Sequence, residues 1–532
     1  MTFIARLASS PRFCLWTVGW LTALLIQTGA FSTHDTRHRY QVTRWLWRGE
    51  PEVSPGAYPD FGIFDPEGGL HAWYGLGQSL LMFPGDVLAR ALTGIVGLGA
   101  PLDTKAEIGI VALSTFPVLT GFIVMLGYSI LRELGIDQRR ATVGAIVWLV
   151  CTTCLTYAQA HFENSLELAA FMAVFLGALL FGRTGARAPL FWGMSAGALA
   201  ILARVPSVID ITLYTLGALF ITLPRPTTER VTWLRRRAFG LATIAAPILL
   251  AALALDRAYQ VFRFGWDAID TTYIHIWGEQ WRSRVPGSPE NYAFSAPFSV
   301  GFWGPLFSRN NSMLLYDPLL WVAPFVFVFA ARMNKLERGV RVLLVVAGLA
   351  LLCRLVLYAK FVVWYGGSSW SNRYTLTPVQ FGLLFVVPVF LAISASVPRA
   401  LRTAFFAVCA FALVLQLSSV LINPNLEFMQ AQCRGGTHFE VRDRLLNVFR
   451  LLTGRLDDGG CPQIIPPETL RMQFLPWSNG PELPRAARLL VEVGWFGLLI
   501  AAGAAVTWTL RRHASGQSAA HAEPAAPVLP VT

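Results

Sequence analysis

The sequence predicts an all-α polytopic membrane protein with about twelve transmembrane helices. Of its 532 residues, 54% are hydrophobic and only 14% are charged, whereas soluble domains carry about 25% charged residues. The apolar residues form many separate stretches of about 17–25 residues, the length that crosses a hydrocarbon layer of ~30 Å. Arginines recur in the short segments between these stretches, as membrane topology requires.

The apolar stretches define the predicted spans. The first is interpreted as an uncleaved span, because no small-residue cleavage site precedes Phe31 and many spans follow it. We place the twelve spans at about 13–31, 107–131, 141–158, 165–182, 189–203, 207–223, 238–257, 314–331, 341–359, 376–397, 403–422 and 486–510.

The short segments between the spans predict the orientation. Segments rich in arginine face the cytoplasm by the positive-inside bias, so both chain ends are expected there. The long segments 32–106, 258–313, 360–375 and 423–485 then face the opposite side. The arginine-bearing segments contain Arg6 and Arg12, Arg132 to Arg140, Arg183 and Arg187, Arg225 to Arg237, Arg332 to Arg341, Arg399 and Arg402, and Arg511 and Arg512.

These boundaries divide the chain into six parts. They are a first transmembrane helix (1–31), an extracytoplasmic loop (32–106), a bundle (107–422) with outer loops 258–313 and 360–375, an extracytoplasmic cap (423–485), a last transmembrane helix (486–510) and a disordered cytoplasmic tail (511–532). The cap contains Cys433 and Cys461, the two cysteines in a large outer loop. We expect them to pair in an oxidising compartment, and two free thiols are the alternative.

The first outer loop is predicted to hold two non-spanning helices, at about 36–48 and 71–92, separated by a Pro/Gly-rich stretch over 50–69. The first places Arg37, Arg44 and Arg48 on one face by seven-then-four spacing, which is typical of a helix in the interface plane.

Acidic residues in this loop have two interpretations each. Asp35, directly before the first helix, is either its N-cap or a base for chemistry. Asp65 and Glu67 are either turn residues or metal ligands.

Further charged residues meet the same outer side from separate helices. Glu163 lies in the short turn between the third and fourth spans, and an ionisable residue at membrane depth is a functional candidate. Arg204, Arg354, Lys360 and Arg373 end other segments at that level. Together these cations could hold a phosphate; singly, each could instead reach the lipid headgroups.

The net charge of +12 does not indicate nucleic-acid binding, because the chain lacks zinc-ligand spacing, RNA-binding signatures and a basic DNA-reading helix. The Cys151-Thr-Thr-Cys154 spacing falls inside an apolar span without further ligands, so both cysteines are interpreted as buried apolar residues.

The outer segments carry a series of short motifs. In order they are His34-Asp35, Tyr74-Gly-Leu-Gly-Gln-Ser-Leu-Leu81, the acidic turn at Glu163, Gly197 to Pro206 with its Ala-Arg-x-Pro ending, Phe262-Arg-Phe-Gly265, Gly304-Pro-Leu-Phe-Ser308 and the Trp-x-Gly-Gly and Arg-Tyr elements of Trp364 to Tyr374. This series resembles the GT-C superfamily of membrane glycosyltransferases. Its nearest likeness is to protein O-mannosyltransferases and to the bacterial enzymes that transfer aminoarabinose or arabinose from polyprenyl phosphate. The resemblance covers most of residues 13–400, and the cap matches no motif.

The resemblance implies an inverting glycosyltransferase at the outer face of a bacterial inner membrane. It would move a sugar from a polyprenyl-phosphate donor to a hydroxyl of a glycan, lipid or protein acceptor. Asp35 would be the general base, with Glu163 as the second catalytic candidate, and Arg204, Lys360 and Arg373 would bind the lipid phosphate. The other substrate-binding candidates are His34, Arg39, Tyr74, Gln78, Trp370 and Tyr374.

The resemblance implies no tightly bound cofactor. Many relatives carry paired acids in the first loop, whereas Asp35 of this chain is flanked by His34 and Thr36. A divalent cation is therefore possible, but the sequence does not supply the paired acids that would bind it tightly.

A transporter or flippase of lipid-linked saccharides is the alternative function. It too would need aromatic and cationic residues at the outer side. Transporters often show internal repeats and broken helices in corresponding halves. This sequence has no such repeat, and its polar clusters lie on one side, which favours the enzyme.

The orientation can be tested with reporter fusions. Fusions at Gly185 and Gly459 should report opposite sides of the membrane, because an odd number of predicted spans separates the two positions. Equal signals from the two fusions would contradict the twelve-span topology.

Overall fold

A computed structural model describes residues 10–31, 33–49, 53, 62–95, 105–224, 227–284, 287, 289, 292–367, 369–436, 440–478 and 485–514. It is 76% helical, and its described residues contain one sheet of two strands. This confirms the all-α membrane class. The tail predicted to be disordered lies almost entirely outside the described residues.

The helices follow the predicted order. In the first half they are α1 (Pro11–Ile26), α2 (His34–Arg48), α3 (Gly77–Ile95), α4 (Lys105–Glu133), α5 (Gln138–Cys151), α6 (Cys154–Gln159), α7 (Glu163–Thr184), α8 (Arg187–Ala203), α9 (Ser207–Thr222), α10 (Thr227–Gly240) and α11 (Ala246–Phe264). In the second half they are α12 (Tyr273–Arg284), α13 (Phe298–Phe307), α14 (Met313–Tyr316), α15 (Leu319–Arg332), α16 (Arg338–Tyr358), α17 (Leu376–Leu383), α18 (Val386–Ile393), α19 (Arg399–Leu421), α20 (Leu426–Cys433), α21 (Val441–Leu452), α22 (Leu475–Ser478) and α23 (Arg485–Thr509).

Helices occupy all twelve predicted span positions, but they differ in length. Within the described residues, seven are long and apolar enough to cross a membrane: Lys105–Glu133, Glu163–Thr184, Glu229–Phe264, Arg338–Tyr358, Leu376–Ser396, Arg399–Leu421 and Arg488–Arg512. The other five positions hold shorter helices or, between α5 and α6, a broken one. The chain is therefore built for several membrane crossings.

The predicted span at 141–158 breaks at Thr152 and Thr153. The amide of Thr153 donates to a carboxylate oxygen of Asp317 (2.8 Å), and its hydroxyl donates to the other oxygen (2.9 Å). The side-chain amide of Gln380 donates to the Thr153 hydroxyl (2.8 Å). These contacts satisfy polar groups that the break exposes inside the bundle.

The first outer loop differs from its prediction at both helix starts. The hydroxyl of Thr33, not the carboxylate of Asp35, caps α2 by accepting the amide of Thr36 (3.2 Å). The N-cap interpretation of Asp35 was therefore wrong, because α2 begins at His34, two residues earlier than predicted. This leaves the carboxylate available for a contact outside α2.

The predicted second helix of the loop begins later than expected, at Gly77. Residues 70–72 form strand β2, which pairs antiparallel with strand β1 (Gly62–Phe64). Asp65 turns this hairpin by accepting from the Gly69 amide (2.7 Å) and contacting His71 (2.7 Å). Although burial opposes the charge, these hydrogen bonds lower the pKa of Asp65. Asp65 is a turn residue.

Two glycines of the first loop allow α3 to meet the end of α8. A Cβ on Gly75 would lie 2.1 Å from the Leu202 carbonyl oxygen, and one on Gly77 would lie 2.2 Å from the Leu199 carbonyl oxygen. Arg263, at the end of α11, fixes the loop from the other side by donating to the carbonyls of Ala72 and Tyr74. The glycine and Arg-Phe-Gly motifs therefore both position this loop on the bundle.

The predicted interfacial face of α2 is partly buried. Arg44 is only 4% exposed and contacts Glu107 on α4 (2.6 Å) and Asp86 on α3 (3.7 Å). A guanidinium held between two carboxylates does not reach lipid headgroups. The arginine spacing was correct as a helical pattern, and Arg44 binds α2 to its neighbours. The interfacial position of α2 stays a prediction.

The two cap helices, α20 and α21, pack together over the end of α19. A disulfide joins Cys433 to Cys461, as expected for an oxidising compartment. Arg444 is fully buried, pairs with Glu427 (2.5 Å) and donates to the Ile422 carbonyl (2.9 Å). The cap therefore has its own internal bonds and a polar attachment to the bundle.

The disulfide should leave five reactive thiols in unreduced, denatured protein and seven after reduction. Replacing both bonded cysteines by serine should destabilise the cap by about 3 kcal/mol on the chain-entropy model, because the bridge closes a loop of 28 residues. Thiol labelling with mass spectrometry checks the first result. Seven labelled thiols without reduction would exclude the bridge.

Candidate functional site

Eight ionised side chains meet at one end of the bundle. We call this group the charged cluster. It holds four arginines and four carboxylates, so its formal charge sums to zero. Its members are Asp35 and Arg39 on α2, Glu163 and Glu167 on α7, Arg204 at the end of α8, Asp210 on α9, Arg354 on α16 and Arg373 in the segment after α16.

The inner part of the cluster is a continuous chain of ion pairs. Glu163 accepts from Arg39 (2.6 Å) and from Arg204. Arg204 also lies 3.6 Å from Glu167, which in turn contacts Arg354 (3.4 Å). The chain ends at Asp210, 2.7 Å from Arg354. Each buried charge thus meets an opposite charge, without which its burial would cost several kcal/mol.

A tight turn before α7 sets the position of Glu163. The carbonyl of His161 accepts from the Thr36 hydroxyl (2.6 Å) and from the side-chain amide of Gln78 (2.7 Å). The His161 ring contacts the Gln27 side chain (2.7 Å). Burial lowers the pKa of His161 to about 3, so the ring is neutral. Gln78, a predicted substrate ligand, thus holds this turn against α2 and α3.

The cluster is most open at Asp35 and Arg373. Their side chains are 11% and 14% exposed and lie 3.2 Å apart, whereas the other six are 8% exposed or less. The Arg373 guanidinium lies 5.0 Å from the Phe162 ring centroid. A ligand approaching from outside therefore reaches this pair before any other charge of the cluster.

Tyr74 closes one side of the open pair. The guanidinium of Arg39 lies 3.9 Å from the centroid of its ring. Burial and the neighbouring Asp35 carboxylate raise the pKa of Tyr74 well above its ordinary value. The phenol therefore stays protonated and can donate a hydrogen bond near Asp35.

The Trp-x-Gly-Gly element explains how Arg373 is presented. Gly366 and Gly367 have φ of 87° and 70°, a left-handed conformation that suits glycine. The side-chain amide of Asn372 donates to the Trp364 carbonyl (2.7 Å) and so closes the loop. The Asn164 side chain also donates to the Arg373 carbonyl (2.8 Å). The loop and α7 together fix the backbone of Arg373.

The remaining predicted site residues lie in different places. Tyr374 stacks on Tyr358 (centroids 4.3 Å apart) beneath Arg204. Trp370 is buried against Tyr316 and Arg444, towards the cap. Lys360 is exposed, and its carbonyl accepts from the Ala296 amide (3.1 Å). The side chain of His34 lies outside the described part of the structure.

Sequence analysis did not select Glu167 and Asp210. Both are buried, at 0% exposure, in helices that read as apolar spans. A carboxylate inside such a span was itself a signal, because ionisable residues in the hydrocarbon region are costly. Glu167 also follows Glu163 by four residues, which places both on one face of α7.

A cation site is not evident among these side chains. Within the described ranges, no group of three or more His, Cys, Asp or Glu side chains is arranged to hold a metal ion. The cations opposite Asp35 and Glu163 are arginines instead.

A comparison with protein-family models and with curated proteins found no match to this chain. The geometry of the site is therefore the basis for a functional assignment.

Glu163→Gln should destabilise the protein by about 3–5 kcal/mol, because Arg39 and Arg204 would lose a buried counter-charge. Unfolding of purified protein in detergent measures this. The matched control is Glu492→Gln, which removes the exposed pair with Arg488 and should cost at most about 1 kcal/mol. Equal losses for the two variants would contradict a structural role for the inner ion pairs.

Proposed function

We propose that this protein is an integral-membrane glycosyltransferase of the GT-C type. It transfers a sugar from a polyprenyl-phosphate donor to an acceptor hydroxyl, with inversion, at the extracytoplasmic face of a bacterial inner membrane. The observation that carries the proposal is the contact of Asp35 with Arg373 at the open end of a buried, neutral charged cluster. This contact supports the proposal because a carboxylate can accept a proton and a guanidinium can bind phosphate, and the two lie 3.2 Å apart.

Arg373 would bind the donor phosphate. Guanidinium groups form strong, directional hydrogen bonds with phosphate oxygens. In the free protein Asp35 forms an ion pair with the Arg373 guanidinium. A bound phosphate would therefore compete with Asp35 for this guanidinium. Donor binding would thereby turn the carboxylate from a structural partner into an available base.

The reaction then follows from these two groups. The acceptor oxygen attacks the anomeric carbon of the sugar, while the bond between that carbon and the phosphate oxygen breaks. The bonding electrons leave with polyprenyl phosphate, and the acceptor proton passes to Asp35. The phosphate gains a negative charge in this step, and Arg373 stabilises it in a fixed position.

The inner ion pairs would act as positioning groups. Arg204 is already shared by Glu163 and Glu167, so its geometry favours holding α7 and α8 together over binding the donor. The same reasoning assigns Glu163 a positioning role, because two arginines occupy its carboxylate. A fixed inner shell keeps the orientation of the open pair from changing during the reaction.

An apolar surface beside Arg373 suits a prenyl chain. Helix α13 packs closely on the end of α16, where a Cβ on Gly301 would lie 1.9 Å from the Ala359 carbonyl oxygen. The helix also contacts the segment that carries Arg373, because a Cβ on Gly304 would lie 2.2 Å from the Trp364 ring, and it exposes large apolar side chains. These are Phe298, Val300, Trp303 and Phe307, each exposed by 47% to 66%.

The proposal is tested with purified protein and polyprenyl-phosphate sugars that carry labelled pentose or hexose. Asp35→Asn should lower turnover by about 10²- to 10⁴-fold, since it removes the base. Turnover is compared per amount of folded protein, because Asp35→Asn keeps the Thr33 cap of α2 but removes the ion pair with Arg373. The matched control is Asp65→Asn, which alters an acid of the same loop that binds His71 and should keep full turnover. Retention of more than about a tenth of wild-type turnover by Asp35→Asn would falsify the assignment of the base.

Arg373→Ala should act differently from Asp35→Asn. It removes the phosphate ligand, so the donor concentration required for half-maximal rate should rise along with any loss of turnover. Transbilayer movement of the labelled donor without a glycosylated product would instead favour the flippase. Steady-state kinetics over a range of donor concentrations, with products separated from lipid, distinguish these outcomes.

A further inference from the structure

A basic cavity of about 430 Å³ lies at the other end of α7 from the charged cluster. Its lining includes Arg187 at the start of α8 and the run Arg235, Arg236 and Arg237 on α10, with Gly185 between them. None of its described lining residues is acidic. Helix α7 has 22 residues, so the two sites are separated by about 33 Å at 1.5 Å per residue, roughly the thickness of a bilayer core.

The four lining arginines lack the counter-charges that occur elsewhere in the molecule. Among the described residues, no carboxylate lies within ion-pair distance of any of them, whereas nearby Arg183 is paired with Glu133 (2.6 Å). Arg237 donates to the Gly182 carbonyl (3.1 Å), but its Nε is buried without a hydrogen-bond partner among the described residues. This concentration of unpaired positive charge fits an anion.

Aromatic rings hold two of these guanidinium groups in place. Arg237 lies 5.1 Å from the Phe181 ring centroid, and Arg187 lies 5.7 Å from that of Phe239. Gly185 has a φ of 79°, and a Cβ there would lie 2.6 Å from an Arg237 nitrogen. The fold thus keeps this site free of both side-chain bulk and acidic groups.

The surface around the cavity is apolar and exposed, which favours a lipid over a soluble anion. The large side chains beside it are exposed by 45% to 70%. Because a water-facing surface rarely exposes so many large apolar side chains together, this surface is better suited to contact with lipid. These side chains are Phe191 and Trp192 on α8 and Val231, Leu234 and Phe239 on α10.

We propose that this cavity binds the phosphate-bearing headgroup of an anionic membrane lipid, with its acyl chains against the exposed faces of α8 and α10. Arginine enrichment at one membrane side can serve topology alone, but topology does not require four arginines to line one cavity. The site would thus anchor the ends of α7, α8 and α10 to the membrane surface opposite the charged cluster.

The test uses the full chain in detergent and counts bound lipid by native mass spectrometry. Phosphatidylglycerol should bind more tightly than phosphatidylcholine. The double variant Arg235→Gln with Arg236→Gln should weaken phosphatidylglycerol binding at least tenfold, because each arginine near an anionic lipid contributes about a fivefold change in affinity. Both side chains are exposed, so folding should survive, and an unchanged melting temperature without lipid verifies this.

The matched control is the double variant Arg332→Gln with Arg341→Gln, which removes the same charge from exposed arginines elsewhere. It should bind phosphatidylglycerol like the wild type. Equal losses of phosphatidylglycerol affinity in both double variants would show that general charge attraction explains the binding, and would contradict a specific site in this cavity. Displacement of the lipid by an equal concentration of inorganic phosphate would overturn the lipid assignment, because a soluble anion would then suffice.

Discussion

The pairing of the buried charges in the charged cluster is the constraint on which the candidate site depends. Eight ionised groups at one end of an apolar bundle are tolerable only when each faces an opposite charge, since removing one partner leaves the other in a medium that solvates it poorly. Glu163 and Glu167 therefore fix the start of α2 and the ends of α8 and α16 relative to α7. The positions of these helix ends then determine which pair of charges remains open.

Close backbone contacts determine the distances between the elements that carry the ion-paired residues. Gly75 and Gly77 let the first outer loop touch the carbonyls at the end of α8. Arg263 holds the same loop from α11. The contacts of Gly75 and Gly77 leave no room for a Cβ. The orientation of Asp35 relative to Arg373 therefore depends partly on two glycines that have no chemical role of their own.

Hydropathy and arginine spacing predicted the helix positions and the class of the protein, because both are local properties of the chain. They also placed Asp35 and Arg373 on the same side of the membrane, and the resemblance to GT-C glycosyltransferases placed them in one candidate site. The partners of those charges could not be predicted, since a pair such as Asp35 and Arg373 joins residues 338 positions apart. The hairpin at 62–72 was missed because three-residue strands leave almost no periodic signal, and the cap of α2 was misplaced by two residues.

The burial of Trp370 has a mechanical consequence. Its ring lies under Arg444, which belongs to the disulfide-bonded cap, and it precedes Arg373 by three residues in the same loop. A displacement of the cap would therefore act, through the Trp370 ring, on the loop that carries Arg373.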